Sequence, residues 1–150
     1  MVTGEERSTF LSTITSPYIS IMDSRSLHLS TEAFAALVDQ AIARIPWEIH
    51  AYLDNILITV QRRPSSEILA ELGYAPDEPL FGLYTGTPLT DRSVTEPPLY
   101  PDSIVIYQEP LQAACTSLEE LIEEIEITVV HEIAHLIGFS DEDLEALGYG

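Results

Sequence analysis

His131-Glu132-Ile133-Ala134-His135 is the stretch of this chain whose residue types and spacing could do chemistry most directly. On a helix, residues four apart lie on one face, so the two imidazoles would meet a single Zn2+ ion. Glu132, one step around the helix, would stand where it can take a proton from water at the metal. These three are the only strongly polar side chains between Ile127 and Ile137, an otherwise apolar run. Such a run reads as a buried half-helix, and buried polar groups need partners. A metal would satisfy both imidazoles. The competing reading is of two core histidines bonded to backbone carbonyls, with Glu132 turned to solvent.

A catalytic zinc takes three protein ligands and leaves one position for water. Cys115 is set aside, because the 14 residues from Ser117 to His131 span about 21 Å of helix. It reads instead as a small core cysteine. Past His135 the carboxylates are Asp141, Glu142, Asp143 and Glu145. A helix continued beyond His135 would aim Gly138 and Phe139 at the metal, and neither binds one. Gly138 instead lets the chain leave the helix and double back, which selects Asp141, six residues after His135, as third ligand. Glu142 or a water is the alternative. Asp141 would otherwise cap a final helix, Glu142 to Leu147, although Ser140 is equally suited to that task.

The elements that must position these residues are legible in outline. Ser30 or Thr31 caps a helix whose apolar face is Phe34, Leu37, Val38, Ala41, Ile42 and Ile45. Pro46 ends it, and a short second helix runs from Trp47 toward Leu53. Ile56 to Val60, rich in β-branched residues, predicts a buried strand. Ser65 to Leu72 predicts one or two helical turns closed by Gly73. Leu80 to Tyr84 and Ser103 to Tyr107 predict two further strands, with a proline-rich loop or flap from Thr87 to Asp102 between them. A turn of helix follows over Pro110 to Ala114. Ser117 with Glu120 reads as a capping box opening a long helix to about Ile137, and Gly138 supplies its left-handed stop. Residues 1–28 show no clear period; a strand at Tyr18 to Met22 or an extended arm is expected there.

The full string His131-Glu132-x-x-His135-x-x-Gly138-x-x-Asp141 follows the metzincin layout with Asp in the third ligand position. Metzincins carry a Met-turn after the motif, and here Met1 and Met22 both lie upstream. From about Thr31 onward the chain resembles the small bacterial zincin-like metallopeptidase family. The likeness rests on Leu83-Tyr84-Thr85-Gly86-Thr87-Pro88-Leu89-Thr90-Asp91-Arg92-Ser93, on Leu99 through Tyr107, and on Thr128 through Glu142. It implies an α+β zincin-like fold: a small mixed sheet of three to four strands packed on the helix that carries the motif. It also implies one zinc ion on His131, His135 and Asp141, with Glu132 as general base and a peptide or protein as substrate. A zinc-binding protein of the same fold without activity is the alternative. The domain is expected over residues 29–150, with residues 1–28 as an arm.

Arg92 is the only cation after Arg63. It would pair with Asp91, Asp141 or Glu142 to brace the site, bind a substrate carboxylate, or stand as a plain surface arginine. His28 and His50 lack ligand-spaced partners and read as structural or solvent-exposed. Trp47 and the tyrosines are expected to pack against the core.

Charge narrows the function further. The 150 residues hold 25 Asp and Glu against 6 cations, all of them Arg, for a formal net charge of −19. Ser117 to Gly150 contributes ten acids and no Arg, or −10, and residues 1–116 contribute fifteen acids and six Arg, or −9. Nucleic acid backbones and anionic membranes attract basic patches, so both are excluded as partners. A negative field around the motif favours a divalent cation and neutral or basic peptides. One cysteine rules out an intramolecular disulfide, no run reaches 18 apolar residues, and Met1 to Leu11 has no signal-peptide pattern. A soluble, cytoplasmic protein is the expectation.

Overall fold

A computed structural model describes residues 27–86 and 102–149. The expected arm with its Tyr18 to Met22 segment, and most of the proline-rich loop with Asp91 and Arg92, lie outside the described residues.

Ser30 accepts a hydrogen bond from the Ala33 N–H and opens α1, Thr31–Arg44, whose buried face includes Phe34, Leu37, Val38, Ala41 and Ile42. Pro46 opens the short α2, Trp47–His50, and a 3-10 turn over Ala51–Asn55 leads into β1, Ile56–Gln61. α3, Ser66–Glu71, is capped by the Ser65 hydroxyl, and Gly73 at φ 77° turns the chain out of it. β2, Gly82–Thr85, and β3, Asp102–Tyr107, follow. α4 is Gln108–Ala114, α5 is Leu118–Ile137, and α6 is Asp141–Ala146.

The three strands form a mixed sheet in the order β1-β3-β2. β1 runs parallel to β3 and β2 antiparallel to it. α5 packs on β2 and β3, and α1 packs on α5, so the main core lies between two helices and the sheet. Ile58, Ile104, Ile106, Phe34, Leu37, Leu121, Ile125, Val129 and Ile133 fill it. The expected α+β architecture, a small mixed sheet on the motif-bearing helix, is the one observed.

Two expectations need correction. β1 is an outer strand of the described sheet rather than a fully buried one, and Leu57 is 42% exposed. Alternation along an outer strand leaves one side uncovered, which a run of β-branched residues does not reveal. Trp47 does not pack into the core: at the first turn of α2 it is 79% exposed, and Tyr52 is also exposed. Tyr107 is fully buried, and Tyr74, Tyr84 and Tyr149 pack at the margins of the two cores.

The segment before α1 is pinned by side-chain amides. Gln108 donates through Nε2 to the Leu29 carbonyl at 2.9 Å and to Gln112 Oε1 at 3.0 Å, and that same Oε1 accepts the Leu29 N–H at 3.3 Å. Cys115, buried at the end of α4, is the expected core cysteine. Burial and the nearby Glu120 and Glu124 push its thiol up to about 11.

Candidate functional site

The motif sits in the second half of α5, and the entry to that helix sets its register. Ser117 caps it by accepting the Glu120 N–H at 3.1 Å. The reciprocal half of the expected capping box is absent. Glu120 Oε2 instead takes the Thr116 hydroxyl at 3.1 Å and the Thr116 N–H at 3.4 Å.

Along α5, Leu121, Ile125, Val129 and Ile133 are buried, and so are Thr128, Val130, Ala134 and Leu136. His131 and His135, four apart, fall outside that band and are exposed, His135 at 74% of its side chain. The expectation of a half-helix buried on nearly every side is therefore corrected. The sheet and α1 cover two sides of α5 and leave the stripe through both histidines open. Neither imidazole is a core residue, so the core-histidine reading does not describe them. One part of that reading does hold, because His131 donates through Nε2 to the Tyr149 carbonyl at 3.0 Å.

Glu132 points the other way, toward β2, and its side chain is only 18% exposed. Its Oε2 accepts the Tyr84 N–H at 3.0 Å and lies 3.8 Å from His135 Nδ1. Burial raises its pKa, and the Tyr84 N–H, His135 and His131 oppose that rise without cancelling it. A carboxyl so placed holds a proton more readily than a surface glutamate.

This approach of strand to helix depends on residues that motif reading does not single out. Two strand residues rise about 6.6 Å and four helical residues about 6 Å, so Gly82 and Tyr84 on β2 meet Thr128 and Glu132 on α5 in step. A Cβ at Gly82 would stand 2.7 Å from the Thr128 methyl and 3.2 Å from the Val105 carbonyl oxygen. Only glycine fits there, and a glycine inside a strand pattern is the sequence signal for such close approach. The Tyr84 hydroxyl, in turn, donates to the buried Asp102 at 3.0 Å.

Gly138, at φ 72°, ends α5 as expected, and its N–H and that of Phe139 both bond to the Ala134 carbonyl. The chain does double back. Ser140, not Asp141, caps α6, in a full capping box with Asp143. Asp141 is therefore the first residue of that helix, exposed, with Glu142 exposed beside it. Among the described residues no three His, Cys, Asp or Glu side chains converge as a metal-holding group. What the fold does assemble is two imidazoles on an open face, with a buried carboxylate one step around from His131. Two imidazoles four residues apart on one open face are donors of the kind that zinc binds readily. A cavity of about 510 Å³ bounded by Leu69, Phe81 and Pro110 has no motif residue in its wall. Among the described residues, no helix is long and apolar enough to cross a membrane.

No curated protein gives a significant match to the chain. A family profile described as zincin-like metallopeptidase matches residues 53–150, which spans β1 to α6 and leaves out α1. The matched region covers well over half of the sequence, and the chain belongs to the zincin-like metallopeptidase family.

Proposed function

We propose that the protein is a zinc-dependent peptidase in which His131, His135 and Asp141 hold one metal ion and Glu132 is the general base. The observation that carries this reading is the division of labour on α5. Both imidazoles face outward, four residues apart, while Glu132 is turned inward and fixed by the Tyr84 N–H. Bound zinc would supply Lewis acidity toward a peptide carbonyl and toward water. Glu132 would take the proton that water loses and pass it to the departing amine. Burial favours the protonated form of Glu132, and the neighbouring imidazoles favour its release, so both halves of that shuttle have a physical source.

Asp141 enters the ligand set from the spacing of the motif and from its place at the start of α6. Substrate would lie along an outer strand of the sheet, where unpaired backbone groups can receive an extended chain. β3 is the central strand, and of the two outer strands β2 is the one that holds Glu132, through the Tyr84 N–H. The ten acids of Ser117 to Gly150 favour a neutral or basic peptide there.

Elemental analysis of wild type against His131→Ala tests the metal, with one zinc per wild-type chain expected and a loss in the variant. Cleavage of a mixed peptide library by wild type against Glu132→Gln tests the chemistry. Zinc retained with equal cleavage in both would refute the role of Glu132. Zinc retained with no cleavage in either would leave a zinc-binding protein without activity.

A further inference from the structure

Glu132 is placed by a strand, and that strand is itself held by side chains outside the motif. The Tyr84 N–H, which Glu132 Oε2 accepts at 3.0 Å, belongs to β2, an outer strand of the described sheet. A ladder on one side alone leaves the end of such a strand dependent on cross-strand side-chain pairs.

Tyr84 is fastened twice. Its N–H reaches α5, and its hydroxyl donates to Asp102 Oδ1 on β3 at 3.0 Å. Asp102 is 6% exposed and lies on the central strand, in register with Ile56 of β1. A carboxylate taken out of water needs donors, and the phenol is one. Tyr84 stands across from Ile104, two residues along β3 from Asp102, so the bond runs diagonally over the sheet face. Gly86 closes over the pair. Its φ is 148°, and a Cβ there would strike Asp102 Oδ1 and stand 2.8 Å from the Tyr84 hydroxyl. Thr85 and Ser103, one residue along each strand and so on the other face, bring their hydroxyls to 2.5 Å. The end of β2 is thus clamped to the central strand on both faces.

We propose that Asp102, acting through the Tyr84 hydroxyl, is a positioning residue for Glu132. Gly82 lets β2 approach α5, and the Tyr84–Asp102 bond fixes where the far end of β2 lies. That in turn fixes the Tyr84 N–H, and with it the Glu132 carboxylate 3.8 Å from His135 Nδ1. The proposal rests on the reading of Glu132 as general base. Misplacing a catalytic group by about 1 Å costs up to about a hundredfold in turnover.

The test compares wild type, Tyr84→Phe, Asp102→Ala, Asp102→Asn and the control Tyr52→Phe, each first shown by circular dichroism to be folded. Amide hydrogen exchange followed by NMR, with neither metal nor peptide added, reads the position of Tyr84 directly. In Tyr84→Phe and Asp102→Ala the residue-84 amide should exchange about tenfold faster, while the β1 and β3 amides hold. With zinc loaded, kcat on a peptide that wild type cleaves should fall about tenfold in both, with KM and zinc content unchanged. Asp102→Asn keeps an acceptor for the phenol and should restore both readouts; Tyr52→Phe should match wild type. A residue-84 amide that does not respond, or a sheet whose amides all speed alike, would overturn the positioning role. So would a rise in KM at constant kcat. If wild type itself cleaves no peptide, the peptidase reading falls, and the exchange pattern alone decides whether Asp102 places Glu132.

Discussion

Gly82→Ala is the substitution that most directly tests how β2 is held against the motif helix. The added Cβ would sit 2.7 Å from the Thr128 methyl, 3.2 Å from the Val105 carbonyl oxygen and 3.6 Å from Ile106 Cδ1. Thr128 cannot rotate away without loss, because its hydroxyl donates to the Glu124 carbonyl at 2.7 Å. The Val105 oxygen belongs to the central strand and yields only if the strands separate. Inserting a methyl into a packed site of this kind costs about 2 kcal/mol, within the usual range for overpacking. For a chain of this length that is a fall in Tm of roughly 4–8 °C. Thr128→Ser removes the clashing methyl and keeps the hydroxyl bond, so the double variant should regain about half of the loss. Thermal and urea unfolding of wild type, both single variants and the double variant form a double-mutant cycle, with an expected coupling of about 1 kcal/mol. The Tyr84 amide resonance should move in Gly82→Ala and return in the double variant, because that N–H bonds to Glu132. A coupling within about 0.3 kcal/mol of zero would refute the claim that the Gly82–Thr128 contact sets the spacing.

Three further outcomes follow from the same packing. Cys115, with its pKa pushed up to about 11, carries roughly a hundredfold less thiolate at pH 8 than an ordinary thiol at 9.0; alkylation by iodoacetamide should therefore be slow until the chain is unfolded by urea, and fast labelling of the native protein would contradict it. The Asp143 carboxyl is held below its usual range by the Ser140 N–H and hydroxyl, so the cap it makes is complete above the ordinary aspartate value and is lost as pH falls through the lowered one. An NMR titration of the Ser140 amide should show that transition, and Asp143→Asn should abolish it. Glu132 has a raised pKa, so its contribution to stability falls as pH rises from the unfolded value through the folded one. Glu132→Gln keeps an acceptor for the Tyr84 N–H and removes the buried charge, so its Tm at pH 7 should equal or exceed that of wild type; a lower Tm would count against burial as the dominant cause.

Periodicity and spacing made the helices and strands legible because each element carries its own punctuation. Ser30, Ser65, Ser117, Gly73 and Gly138 all cap or end the elements expected of them. What stayed hidden is set by neighbours distant in sequence. Leu57 and Trp47 read as core because they are apolar, yet their exposure follows from which faces the rest of the chain covers. The apolar run around the motif gave no hint that the stripe through His131 and His135 would be open, since that depends on where α1 and the sheet pack. The inward turn of Glu132 onto the Tyr84 N–H joins residues 48 apart, and the Tyr149 carbonyl reaches His131 from 18 residues away. Gly82 was the one visible clue, a glycine where a strand should have had a side chain.

The electrostatics of α5 unify the buried and open halves of the site. Glu119, Glu120, Glu123 and Glu124 lie in its first two turns, near the positive end of the helix dipole, where negative charge is favourable. His131 and His135 lie in the last two turns, near the negative end, where a cation is favourable. A carboxylate buried in that last half gains nothing from the dipole and loses hydration, which is why Glu132 is raised even with two imidazoles and an N–H beside it. The same field that resists the charge on Glu132 would stabilise a dication on the outward face, and that dication would in turn lower the pKa of Glu132. Metal binding and the ionisation of Glu132 would therefore be coupled with the same sign. Zinc titrations of wild type should release more protons than those of Glu132→Gln, in amounts that calorimetry in buffers of different ionisation enthalpy will measure, and equal release from the two would break that coupling.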